Sequence, residues 1–327
     1  MARSTVVVHS ALRKPELGPT LGLVLAVVVF RLLSPHFFDP QSLTAISTGA
    51  SEVGIVAIAA TLLMIAGELD LSVGAVYAFV PVLWVILFKY EGWPKSLALV
   101  VALGAAASIG LASGLTTVRF GVPSIIATLG MFFALEGVNN LLIGGSDLVI
   151  TDRDGLLDIL GEELDGTPFF AALLWLLAIT FLGWFLLTRT AYGNWVLAAG
   201  GRRGVAQAMG VPVPAVKLSL FVLTAVLAGV AGCLQTAYLR SVTAAQGQDL
   251  ALLAITASVV GGTSIYGGSG SVIGAVLGAL LVSVIQVGLI VSGAPGTFYV
   301  AFIGVLLVVV VIVNLRLAAL QRRSRSW

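Results

Sequence analysis

Residues 43–88 read LTAISTGASEVGIVAIAATLLMIAGELDLSVGAVYAFVPVLWVILF. Two apolar runs, 43–66 and 71–88, flank a short break in which Gly67, Glu68, Asp70 and Ser72 stand together. Each run is close to the ~20 residues a helix needs to cross a hydrocarbon core, and the break is too polar to continue either. The stretch reads as two spanning helices joined by an unwound elbow. The rest of the chain agrees: of 327 residues, 59% are hydrophobic and only 10% charged, with mean hydropathy +1.09. A soluble domain carries roughly 25% charged residues to cover its surface. Gly contributes 38 residues without a three-residue period, which excludes collagen and suits helices that approach through small side chains.

Outward from this hairpin, apolar runs lie near 17–33, 43–66, 71–88, 96–118, 122–143, 168–188, 216–237, 250–263, 271–291 and 297–315. The expected fold is all-α, a polytopic membrane protein of about ten transmembrane helices within one transmembrane domain, 1–327. The first run follows Arg13 and Lys14 but lacks a small-x-small cleavage pattern, so it reads as a retained helix. The run 250–263 is short for a full crossing and ends in Gly261 and Gly262, as a broken or re-entrant helix would. Ten helices leave no room for a separate soluble domain.

Basic residues set the orientation. With the first end inside and ten alternating spans, 12 of the 17 Lys and Arg residues fall inside, which places both termini in the cytoplasm. The segment 144–167 then lies outside with seven acidic residues against Arg153, and its interspersed leucines suggest a short amphipathic helix. The segment 189–215 lies inside, and Gly210 and Pro212 are expected to stop a short helix over 205–209. The basic residues sit at the ends of apolar runs, so nothing supports nucleic-acid binding.

Enzyme chemistry is hard to place. The only Lys followed by Ser or Thr is Lys95, preceded by Pro94, so there is no phosphate-binding loop. His9 and His36 form no zinc-binding helix motif, and the single Cys233 sits in an apolar run as a packing residue, so no metal site is expected. The Ser residues of 267–271 lie in a Gly-rich turn without a base nearby in sequence. Ionisable residues within apolar runs are costly and therefore functional candidates. Here they are Glu52 and Glu136, with Glu68 and Asp70 at the break. Asn139, Asn140, Gln235 and Gln286 either hydrogen-bond a polyhydroxylated solute or join helices; Asp70 and Ser72 suit a cap on the third span.

A second elbow, GGTSIYGGSGS at 261–271, parallels the first. Each elbow follows a Thr by six residues, Thr61 to Gly67 and Thr256 to Gly262, and precedes Gly-Ala-Val. This hints at an internal repeat with a transport path between its halves. Gly67, Gly261, Gly262, Gly267 and Gly268 are the expected elbow glycines.

Three of these strings resemble the permease subunits of bacterial ATP-binding-cassette importers for ribose, xylose, galactose and related solutes: AGELDLSVGA at 66–75, VPSIIATLG at 122–130 and GGTSIYGGSGSVIGAVLGA at 261–279. The resemblance covers nearly the whole chain. It implies a bacterial inner-membrane protein paired with a second copy or a homologous permease. It also implies solute delivery by a periplasmic or extracellular binding protein, and ATP and Mg held by a cytoplasmic ATPase partner, with no cofactor in this chain. TAYGNWVLAAGGRRGVAQAMGVPV at 190–213 is similar to the family's ATPase-coupling segment, with Gly200, Gly201, Ala206 and Gly210 matching and Arg202 standing where Asn is usual. The residues themselves also admit an ion-driven carrier using Glu52 and Glu136, or, less readily, an intramembrane enzyme.

Overall fold

The computed structural model describes residues 16–151, 155–161, 167, 171–295, 298–299, 301–309 and 312. Helix α1 spans Leu17–Leu33 and is followed by a 3-10 turn, Pro35–Phe38. Then come α2 (Pro40–Ile65), α3 (Val73–Val85, continued as a π-helical turn over Ile86–Tyr90), α4 (Lys95–Val118) and α5 (Ser124–Ile143). A short α6 (Gly155–Gly161) precedes α7 (Ala171–Arg189), α8 (Ala191–Gly200) and α9 (Arg203–Ala208). The last elements are α10 (Val213–Leu239), α11 (Leu250–Val260) and α12 (Val272–Val291). Residues 301–309 are also helical.

Proline and glycine punctuate these helices. Pro40 opens α2 and Pro214 lies in the first turn of α10, while Pro94 and Pro123 immediately precede α4 and α5. At a helix start Pro costs no hydrogen bond, because its missing N–H would have had no intrahelical partner. Gly144, with φ 64°, ends α5 in the left-handed conformation that favours glycine. Inside α3, Pro81 cannot donate to the carbonyl of Tyr77. Gly232 of α10 packs against that carbonyl so closely that a Cβ would lie 2.0 Å from its oxygen.

Among the described residues seven helices are long and apolar enough to cross a membrane: α2, α3 with its π turn, α4, α5, α7, α10 and α12. Two of the other expected spans are shorter apolar helices, α1 and α11. With 11 residues, α11 is about 16 Å long, half of a ~30 Å hydrocarbon core. The last expected span, 297–315, lies partly outside the described residues. The short helix read at 205–209 forms as α9, and α6 lies within the acidic segment.

The core is built around α2. Every residue from 53 to 66 is buried, as expected of a helix that is apolar all round. Small residues bring its neighbours close. A Cβ on Gly49 would lie 3.3 Å from Ser283 Oγ of α12, and one on Gly54 would lie 2.8 Å from Leu176 of α7. Ser258 of α11 donates to the carbonyl of Ala57 at 3.1 Å. Gly268 of the second elbow bonds to Ile65 at the start of the first, so both elbows lie at one end of the bundle. Arg119, Arg189, Arg202, Arg203 and Lys217 are at that end too, at the end of α4, the end of α7, in and beside α9, and at the start of α10.

The opposite end carries a clasp absent from the sequence reading. Leu148–Val149 (β1) pairs antiparallel with Ser241–Val242 (β2), Leu148 opposite Val242 and Val149 opposite Ser241. Arg240, the one described non-Gly residue with positive φ (54°), turns the chain from α10 into β2 and contacts Asp158 of α6 at 2.7 Å.

Candidate coupling junction and solute cavity

The first elbow leaves α2 at Gly67 (φ 82°), where the N–H groups of Gly67 and Glu68 donate back to Met64 and Leu63 at 2.9 and 3.1 Å. From there its backbone runs along the first turns of α5. Leu69 N donates to Ser124 Oγ at 3.2 Å and Leu71 N to Thr128 Oγ1 at 3.0 Å. Asp70 Oδ1 accepts from both the backbone N (2.8 Å) and the hydroxyl of Ser72. Ser72 occupies the cap position of α3, but its hydroxyl turns back to Asp70 and accepts no bond from the helix. The polar groups of the break are thus largely spent on building the elbow, since backbone at this depth must find partners within the protein.

The second elbow closes on itself and on the first. Ser264 N donates to Ser269 O at 3.0 Å and Gly267 N to Ser264 O at 3.2 Å, while Gly268 N reaches across to Ile65 O, the last residue of α2, at 2.8 Å. Ser271 caps α12 by accepting from Gly274 N at 3.1 Å and donates to Glu16 at 2.7 Å. Gly261 abuts Gly274, where a Cβ would lie 2.4 Å from backbone. Gly262, Gly267 and Gly268 have φ of 88°, 83° and 79°.

Gly200, the last residue of α8, is wedged between the two elbows. A Cβ there would lie 1.7 Å from Ile65 O and 2.8 Å from Gly268 N. A Cβ on Gly267 would lie 2.8 Å from Gly200 O and 3.0 Å from Gly67 Cα, and one on Gly268 would lie 3.3 Å from Gly201 Cα. Three backbones therefore cross at van der Waals distance with no side chain between them. Lys217 at the start of α10 forms an ion pair with Glu68, and their side chains are only 8% and 15% exposed. Helix α8 is held by Thr190, which accepts from Gly193 N at 3.1 Å, and by Tyr192, whose hydroxyl lies 2.6 Å from Ser219 Oγ of α10. Burial raises the Tyr192 phenol above its usual range, so it remains protonated at neutral pH. Beyond the wedge, every residue from 201 to 210 is exposed except Ala206, which α9 buries against the bundle. Gly210 (φ 82°) ends α9, and Arg202, Val205 and Met209 face outward.

A cavity of about 370 Å³ lies between α2, α3 and α10, walled by the non-helical segment 243–249 that precedes α11. Glu52, Tyr77, Gln235 and Gln286 line it. Tyr77 Oη donates to Gln235 Oε1 at 2.6 Å, and Gln235 Nε2 donates to Glu52 Oε2 at 3.1 Å. The volume falls within the ~300–1,000 Å³ range of small-molecule sites. Of the residues singled out from sequence, Glu52, Gln235 and Gln286 meet here. Glu136 stands beside this wall, accepting from Gln248 at 2.8 Å. Asp70 and Ser72 lie in the elbow instead. Asn139 donates to Ala75 O at 3.2 Å and joins α5 to α3, and Asn140 bonds within its own helix. Sequence reading missed Tyr77, Gln246 and the Lys217–Glu68 pair, which carry no local pattern. The Ser124 and Thr128 hydroxyls had one, because an i, i+4 pair just after Pro123 shares a helix face.

Comparison with known proteins places the chain in a family. It matches the model of a family described as branched-chain amino acid transport system / permease component over residues 42–311, and it belongs to that family. It is a multi-pass membrane protein of the permease class. The probable ABC transporter permease protein YphD of Escherichia coli (strain K12) is 35% identical over 283 residues, covering 86% of this chain and 84% of the relative. The fructose import permease protein FrcC of Rhizobium meliloti is 31% identical, covering 87% and 81%. The ribose import permease protein RbsC of Escherichia coli (strain K12) is 31% identical, covering 82% and 84%. No solved structure matches the chain.

Proposed function

We propose that this chain is the membrane-spanning permease subunit of an ATP-binding-cassette importer for a sugar or sugar-like solute, working in a bacterial inner membrane. The observation that carries the mechanism is the wedge of Gly200 between both elbows. The exposed surface 201–210, with Val205 and Met209 outward, receives a cytoplasmic ATPase whose closure on ATP pushes α8. Because α8 touches the end of α2 and, at Gly67, Gly267 and Gly268, the approaches to α3 and α12, one push moves two helix hairpins together. The pair of permeases alternates between facing the binding protein and facing the cytoplasm, and hydrolysis resets it.

The concentration of basic residues at the elbow end supports assigning that end to the cytoplasm. The acidic residues at the clasp end suit docking of an extracytoplasmic binding protein. A second permease chain and lipid complete the assembly; ATP and Mg belong to the ATPase. Purification from native membranes by a tag, followed by mass spectrometry of stoichiometric companions, tests this. A companion ATPase with a phosphate-binding loop is expected; isolation of the chain alone in every mild detergent would count against the assignment.

A further inference from the structure

The wall of the cavity has a definite chemistry, and the inference drawn from it rests on the importer reading above. Among the described residues its acidic side chains are Glu52 and Asp249, and no Lys, Arg or His lines it. A carboxylate or phosphate on the solute would find no cation and would lose hydration without compensation. Amides and hydroxyls supply the rest, chiefly Tyr77, Gln235, Gln246 and Gln286. A sugar hydroxyl gives one hydrogen bond and takes two, and amides beside a carboxylate offer both roles within one small space.

Hydrogen bonds already made leave particular groups open. Gln235 occupies Glu52 Oε2, and Tyr77 occupies Gln235 Oε1. Gln246 Nε2 is buried with no hydrogen-bond partner, a donor that a ligand oxygen would satisfy. Val53, Leu239 and Leu253 give the wall an apolar side, suited to the C–H face of a ring. The segment 243–249 is fixed there by Gly247 (φ 84°), where a Cβ would lie 2.6 Å from the Tyr77 ring and 2.9 Å from Gly74 O. Non-helical backbone at this depth is tolerated where it lines a cavity.

We propose that each subunit carries its own binding site for a neutral monosaccharide in this cavity. Glu52 and Gln246 read ring hydroxyls, and Tyr77 is a positioning residue that orients Glu52 through Gln235. The cavity is then a station on the import path within the subunit.

The test uses the complete importer in proteoliposomes, with D-ribose, D-xylose and D-fructose offered together and L-leucine as the zwitterionic, carboxylate-bearing control, and counts solute imported per ATP hydrolysed. One or more of the sugars, and not leucine, is imported by the unmodified protein. Glu52→Gln and Gln246→Leu each lower sugar imported per ATP at least tenfold, and Tyr77→Phe changes the preference among the sugars, which a merely structural defect would not do. Import per ATP unchanged in both Glu52→Gln and Gln246→Leu, or leucine import, overturns the site while leaving the importer reading intact. Failure of the unmodified complex to import anything with ATP overturns the importer reading and this site with it.

Discussion

Replacing Gly200 by Ala adds one methyl group at the point where α8 meets both elbows. Built on the existing backbone, that carbon lies 1.7 Å from Ile65 O and 2.8 Å from Gly268 N. Ordinary contact needs about 3.4 Å, so the end of α8 must withdraw from α2 by more than 1 Å. Both neighbours are backbone, so no side-chain rotation relieves the overlap. Overpacking of this kind costs about 1–3 kcal/mol. Losing the hydrogen bond from Gly268 N to Ile65 O, which runs through the same gap, adds roughly 1–3 kcal/mol for a buried unpaired group. A cost on the order of 2–6 kcal/mol is enough to change the resting position of α8 relative to the elbows. The expected result in proteoliposomes is that Gly200→Ala retains ATP hydrolysis but imports at least tenfold less solute per ATP. Gly104→Ala is the control: nothing lies within 4 Å of its Cβ, it sits within α4 away from both elbows, and it should be neutral or slightly stabilising, by ~0.4–1 kcal/mol. If Gly200→Ala couples as well as Gly104→Ala, force does not pass through this crossing.

Three further outcomes follow from the same packing. Lys217→Met leaves Glu68 buried without its partner and should destabilise the protein by about 3–5 kcal/mol, while Lys217→Met with Glu68→Leu recovers most of that; thermal unfolding at fixed detergent and protein concentration measures both. Asp158→Asn breaks the Arg240 pair, whose side chains are 28% and 32% exposed, and should cost under ~1 kcal/mol in the same assay. Ala206→Trp cannot be buried where Ala206 now sits and should displace α9, uncoupling hydrolysis from import; normal import would remove α9 from the coupling path.

Much of the architecture is legible because a membrane leaves few choices. The apolar lengths mark the helices, and Gly67 and Gly262 mark where backbone turns into the left-handed region. The shortness of α11 is also visible, as the run 250–263 ends in paired glycines. What the chain order hides is meeting. Leu71 and Thr128 are 57 residues apart and Lys217 and Glu68 are 149 apart, and neither pairing has a local periodicity to betray it. The three strings that resemble the importer permeases stand separately in sequence, yet the first leans on the second through Ser124 and Thr128 and touches the third where Gly67 meets Gly267. The clasp of β1 and β2 was invisible for a different reason: two-residue strands carry no alternation to read. In the cavity, Glu52 and Gln235 stood out because polar groups in apolar runs are rare, whereas Tyr77 and Gln246 look ordinary until the helices are packed.

The central claim is that this chain moves its solute by ATP hydrolysed in a partner. The direct measurement is sugar uptake by proteoliposomes holding the purified complex and binding protein, with ATP on the ATPase side and ionophores collapsing every ion gradient. The account predicts uptake that requires ATP and survives the ionophores. Uptake that proceeds without ATP and disappears when the gradients collapse would contradict it, and would recast Glu52 and Glu136 as ion-coupling carboxylates.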